Sequence, residues 1–107
     1  LGSAGAVQAA EKTVTVGIEL PLTGADAEGA TRIKYGAQLA LEEANGKGGV
    51  AGYKIVMSVL DSGTATAGQY DPAQAATNAK KFVADPNVVA IVGPEMSGEG
   101  KAMSPIL

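Results

Sequence analysis

Three times along this chain a short run of aliphatic residues breaks into a turn and gives way to a segment with helical spacing. Thr13-Val-Thr-Val-Gly-Ile18 alternates β-branched residues and then becomes wholly apolar; Tyr53–Leu60 and Val88–Val92 are the other two runs. Runs of this length suit strands covered on both faces. Between them, Ile33, Ala37, Ala40, Leu41 and Ala44 recur with the helical period, as do Ala75, Ala76, Ala79, Phe82 and Val83. The order β-α-β-α-β-α predicts an α/β fold, a three-layer αβα Rossmann-like parallel sheet. Right-handed crossovers on either side of the first strand give strand order 2-1-3, with the first two helices on opposite faces.

The turns set the expected boundaries. Glu19 to Glu28 carries Pro21, Gly24 and Asp26 and reads as a loop. The first helix is expected from about Ala30 to Asn45, with Gly46 in the left-handed position that follows a helix. Asp61 to Tyr70 reads as a loop of small polar residues. Asp71 is placed to cap the second helix and Pro72 to open it, where its missing N–H costs nothing. Asp85-Pro86-Asn87 ends that helix, and a third starts near Gly98.

Composition narrows the function. The net charge is -3, which argues against nucleic acid, a partner that selects basic surfaces. Cysteine and histidine are both absent, so thiolate zinc sites, thiol catalysis and imidazole bases are excluded. No apolar run approaches the roughly 18 residues that span a bilayer. Residues 1–10 are small and unpatterned, and Val7-Gln8-Ala9 carries the small residues that signal peptidase accepts. They read as a signal-peptide remnant or disordered start.

Several chemistries common on such sheets fail on residues. The turn after the first strand, Glu19-Leu-Pro-Leu-Thr-Gly24, lacks G-x-G-x-x-G, and Gly100-Lys101 lacks the rest of a phosphate-binding loop. Gly93-Pro-Glu-Met-Ser-Gly98 is not a nucleophile elbow, since Glu95 stands where its first glycine belongs. Glu19 and Glu95 both sit at carboxyl ends of strands and could pair as acid and base; solvated rim positions are the favoured reading of both. Ser97 has two compatible readings. Its hydroxyl, with the N–H groups of Ser97 and Gly98, can hold a ligand carboxylate, or Ser97 is simply the N-cap of the third helix.

The blocks Thr15-Val-Gly-Ile18, Pro21-Leu-Thr-Gly24, Gly36-Ala-Gln-Leu-Ala-Leu-Glu-Glu-Ala-Asn45, Gly48-Gly-Val-Ala-Gly52, Asp71-Pro-Ala-Gln-Ala-Ala76 and Val92-Gly-Pro-Glu-Met-Ser97 follow one another in register. Together, over residues 14–107, the chain resembles the amino-terminal part of a branched-chain amino-acid-type substrate-binding protein of ABC transporters, the type I periplasmic-binding fold. The resemblance implies an incomplete amino-terminal ligand-binding lobe over residues 11–107, no enzyme activity and no cofactor. It implies an exported, periplasmic or extracytoplasmic protein that captures an amino acid or related small carboxylate for an ABC permease. It places Ser97 on the ligand carboxylate and Glu95 and Met96 on the side-chain pocket. The family's aromatic cover before the first helix falls on Gly29, which would leave room for a different ligand. The Asp61–Asp71 loop, longer than in many relatives, would bring Tyr70 in as a substitute. An open sheet edge at the third strand implies a homo-oligomer of this chain. The ligand-binding domain of a sensor and, less favoured, a small flavodoxin-like hydrolase dependent on Ser97 or Glu95 are the alternatives.

Overall fold

The computed structural model describes residues 12–107; the expected signal remnant at residues 1–10 lies outside them. Strand β1 (Thr13–Leu20) is the centre of a three-stranded sheet, with β2 (Lys54–Asp61) on one side and β5 (Val88–Val92) on the other, both parallel to it. The order β2-β1-β5 is the expected 2-1-3. Burial deepens along β1 until Gly17 to Leu20 are fully enclosed, so its carboxyl end is the structural centre of the molecule.

Side chains alternate across β1, and the two faces meet different helices. Ile18 and Leu20 pack with Ala30 of α1 (Ala27–Gly46), joined by Val16, Leu22, Ala37, Met57 and Val92. On the other face, α2 (Pro72–Ala84) sets the Phe82 ring 2.8 Å from where a Gly17 Cβ would stand, and Asn78 reaches Glu19. Helices α1 and α2 therefore cover opposite faces. Helix α3 (Ser97–Met103) joins the α2 layer through Ala75, Ala79, Met103 and Ile106. Each fully buried aliphatic side chain contributes about 1.5–3 kcal/mol, so this small core depends on the few residues that are completely enclosed.

Several boundaries differ from expectation. Helix α1 starts at Ala27, so Gly29 lies in its first turn and not in a loop. Its inner line is Ala30, Lys34, Ala37, Leu41 and Ala44; Ile33 and Ala40 sit beside that line and are exposed. It ends at Gly46, one residue beyond the expected Asn45. Lys47 is the C-cap, and Gly48, at φ 96, takes the left-handed position. The N–H groups of Gly49 and Gly48 then bond the carbonyls of Ala44 (2.9 Å) and Asn45 (3.1 Å), the paired bonds of a Schellman ending.

On α2, Asp71 caps as expected, its carboxylate accepting from the N–H groups of Ala73 and Gln74. Val83, expected inside, is 58% exposed. The fourth inward position belongs to Asn78: the buried residues of α2 are Ala75, Asn78, Ala79 and Phe82. The segment expected as a plain loop folds into a small antiparallel hairpin, β3 (Gly63–Thr64) and β4 (Gln69–Tyr70), separate from the main sheet.

Candidate functional site

The turn from β5 into α3 stands at the carboxyl end of the sheet, beside the turn from β1 into α1. Gly93 has φ 121, and a Cβ there would run into the Glu19 carbonyl oxygen. Glycine is thus required twice over, by conformation and by space. A cis Gly93–Pro94 bond follows. Met96, extended, is the N-cap of α3, and Ser97 is its first helical residue and not the cap. The Met96 carbonyl accepts from the N–H groups of Glu99 and Gly100, both at 3.1 Å. The N–H groups of Ser97 and Gly98 precede these and have no acceptor within the helix. Ser97 is exposed and Gly98 half-buried.

Two contacts join this turn to the rest of the rim. Tyr70 lies against Gly98: a Cβ on that glycine would stand 3.3 Å from the ring's Cε2. Glu95 folds over the first turn of α1, where a Gly29 Cβ would stand 2.8 Å from its Oε1. The structure therefore brings Tyr70, Glu95, Met96, Ser97 and Gly98 to one rim. The space that Gly29 leaves open is taken by the Glu95 carboxylate.

The hairpin is fastened to the β1–α1 turn by hydrogen bonds. Asp61 accepts from the N–H groups of Leu22 and Gly63, each at 2.7 Å, and from the Thr23 hydroxyl. The Ala25 N–H donates to the Gly68 carbonyl at 2.9 Å. Asp26, at the N-cap of α1, makes no side-chain cap there; its Oδ2 accepts from the Tyr70 N–H at 2.9 Å. The position of the Tyr70 ring is thus set by backbone bonds on either side of it.

Beneath the rim lies a buried polar cluster that the sequence reading missed. Glu19, expected as a solvated rim residue, is fully buried, as is Glu99 of α3. The Asn78 side-chain amide donates to Glu19 Oε1 at 3.2 Å and to the Asp61 carbonyl at 3.0 Å. The Ser62 hydroxyl donates to Glu99 Oε1. The second oxygen of each carboxyl has no partner among the described residues. Burial holds the Glu19 carboxyl above the ordinary carboxylate range; the Asn78 amide opposes this, and the charge of Glu99 adds to it. Burial likewise raises Glu99, with Ser62 and the Met96 N–H opposing. Two carboxyls in one dry site cannot both ionise cheaply, which pushes both in the same upward direction. Two signals pointed to it: Asn78 interrupts an alanine-rich inner face, and Glu99 stands three residues after the N-cap, where a glutamate folds back on its own helix.

An open groove of about 390 Å³ lies elsewhere, along β5, lined by Phe82, Val83, Val88, Val89, Ala90, Ile91, Gly93 and Leu107. It has none of the convergent polar groups that orient a small ligand. Among the described residues no helix is long and apolar enough to cross a membrane.

Comparison with known proteins adds an independent line. Residues 13–107 match the family model of periplasmic binding proteins. The Leu/Ile/Val-binding protein BraC3 of Rhizobium johnstonii is 38% identical over 98 residues, which is 92% of this chain and 25% of that protein. Among solved structures, the branched-chain amino acid transporter substrate-binding protein LivJ of Streptococcus pneumoniae, in complex with isoleucine, superposes with a TM-score of 0.78 at 32% identity, over 89% of this chain and 26% of that one. The fatty acid ABC transporter substrate-binding protein of Thermomonospora curvata does so with a TM-score of 0.72 at 34% identity, over 88% of this chain and 22% of that one. The chain spans about a quarter of the length of the relatives it matches.

Proposed function

The chain belongs to the periplasmic binding protein family, and from that premise we propose that it is part of the solute-binding component of an ABC importer, exported from the cytoplasm, and captures an amino acid or related small carboxylate. The observation that carries this reading is the group of donors at the start of α3 that has no acceptor within the helix. An exposed Ser97 hydroxyl and the N–H groups of Ser97 and Gly98 stand together, with the Tyr70 ring beside them. Donors without an acceptor among the described residues suit an anionic oxygen from outside them.

Two similar proteins support a carboxylate. One is in complex with isoleucine and the other is a fatty acid transporter's binding protein. These share a carboxylate and little else. In this reading Ser97 and Gly98 hold the carboxylate, Glu95 and Met96 line the side-chain pocket, and Tyr70 covers the apolar part. A permease receives the ligand. For the 107-residue chain itself, the exposed β5 edge, with Val89 63% exposed, supports a homo-oligomer; sedimentation showing a monomer at micromolar concentration would refute that part.

The test is calorimetry on the product of the full reading frame that encodes this chain. Ser97→Ala should weaken binding of a carboxylate ligand at least about tenfold, equivalent to about 1.4 kcal/mol. Unchanged affinity would reduce Ser97 to a helix-terminal residue, and a ligand without an acidic group would end the carboxylate reading.

A further inference from the structure

Resting on that reading, we infer that Glu95 makes the site selective for an amino acid whose side chain ends in a cation, an ammonium or a guanidinium, over a branched aliphatic one. Glu95 is solvent-exposed, yet its carboxylate has a defined place against the protein. It folds onto the first turn of α1, and the missing side chain at Gly29 is what gives it room. It stands two residues before Ser97 on the same turn, so a ligand bound through its carboxylate at Ser97 presents its other end within reach. Among the described residues no cation pairs with Glu95; the ion pair nearby in sequence, Arg32 with Glu28, is confined to the exposed side of α1.

The surroundings reinforce this sign. Asp26 lies on the adjacent turn with its carboxylate engaged by the Tyr70 N–H. The charges of Asp26 and Glu95 are both felt at the buried Glu99. A branched aliphatic side chain closing over Glu95 would strip water from a carboxylate and return no partner, an unfavourable exchange. A cationic side chain replaces that water with a charge-assisted bond. Glu95 thus acts twice, attracting one class of ligand and rejecting the other.

The experiment is calorimetry at neutral pH and low salt on the full reading-frame product, with L-arginine, its neutral isostere L-citrulline, L-leucine and hexanoate as probes. L-arginine should bind at least about tenfold more tightly than L-citrulline or L-leucine, and Glu95→Gln should abolish that preference by weakening arginine and tightening leucine. Should the variant fail to fold, the arginine-to-citrulline ratio of the parent, shrinking as salt rises, carries the same information. Leucine bound as tightly as arginine overturns the inference. So does a uniform loss for all probes in Glu95→Gln, which would make Glu95 a counter-charge for the α1 terminus only. Binding of hexanoate without arginine preference removes this inference and leaves the carboxylate reading standing; binding of none of the four removes both.

Discussion

Asn78 of α2 donates its side-chain amide to Glu19 Oε1 of β1 at 3.2 Å, between two layers of the fold and with both residues out of solvent. The same amide nitrogen reaches the Asp61 carbonyl at 3.0 Å. One side chain thus satisfies the carboxyl end of the central strand and that of its neighbour. Asn78→Leu keeps the approximate volume and removes the donor. A buried acceptor left unpaired costs about 1–3 kcal/mol, and here two acceptors lose their partner. Urea unfolding should show a loss of about 2–4 kcal/mol, with an unchanged slope. A loss below about 0.5 kcal/mol, the range of ordinary surface changes, would mean that water replaces the amide freely.

The buried acids make stability depend on pH in a definite direction. Glu19 and Glu99 both have carboxyls raised above the ordinary value of 4.5, chiefly by burial. The folded state therefore holds protons that the unfolded chain releases first. Their stabilising contribution is complete below pH 4.5 and is lost as pH rises through the raised values. Glu99→Gln keeps an acceptor for the Ser62 hydroxyl and removes the ionisable group. Its melting temperature should exceed the parent's at pH 8, and the difference should shrink toward pH 4. A variant that melts below the parent at pH 8 would show the carboxylate to be stabilising as an anion.

How much of this was legible in the sequence follows from the range of each interaction. The parallel sheet, its order and the Asp71-Pro72 helix start rest on periodicity and local capping, and these appear in the order of residues. The start of α1 does not. Asp26 looks like part of a loop because its carboxylate serves Tyr70, far along the chain, and Gly29 looks like a breaker until Glu95 is seen occupying its vacant side. Glu19 reads as a rim residue because it precedes Leu20-Pro21. Only the α2–α3 layer, through Asn78 and Glu99, shows that it is enclosed. Expected site residues from distant segments, Tyr70 and Gly98, do meet, whereas Glu19, expected as a solvated rim residue, is buried and feels the charge of Glu99.

Gly93 should be among the least replaceable residues of the site. Its φ of 121 lies where L side chains are strained, and the obstacle to a Cβ is the Glu19 backbone carbonyl, which no rotamer change can move. Backbone strain alone costs about 1–3 kcal/mol, and displacing β1 adds to it. Gly93→Ala should therefore lose several-fold more folded protein at 37 °C than Gly98→Ala. At Gly98 the nearest atom is a Tyr70 ring carbon at 3.3 Å, and the ring can give way. Equal soluble yields and equal melting temperatures for the two variants would contradict this ranking.

Gly29 and Glu95 should behave as a coupled pair. In the first turn of α1 an alanine is a better helix former than glycine by about 0.5–1 kcal/mol. Opposing this, the new Cβ would stand 2.8 Å from Glu95 Oε1, too close unless the carboxylate swings away. It is the far end of a flexible side chain, so displacement and not unfolding is expected. Gly29→Ala alone should thus change stability little, the propensity gain offset by loss of the carboxylate from the positive end of the helix. In a Glu95→Ala background the obstacle and the charge are both gone. The same Gly29→Ala change should then stabilise by the full propensity difference of about 0.5–1 kcal/mol. The coupling is read from a double-mutant cycle by urea unfolding of all four proteins. Additivity within about 0.3 kcal/mol would mean that Glu95 does not rest on α1 in solution, and the charge placed beside the ligand would lose its anchor.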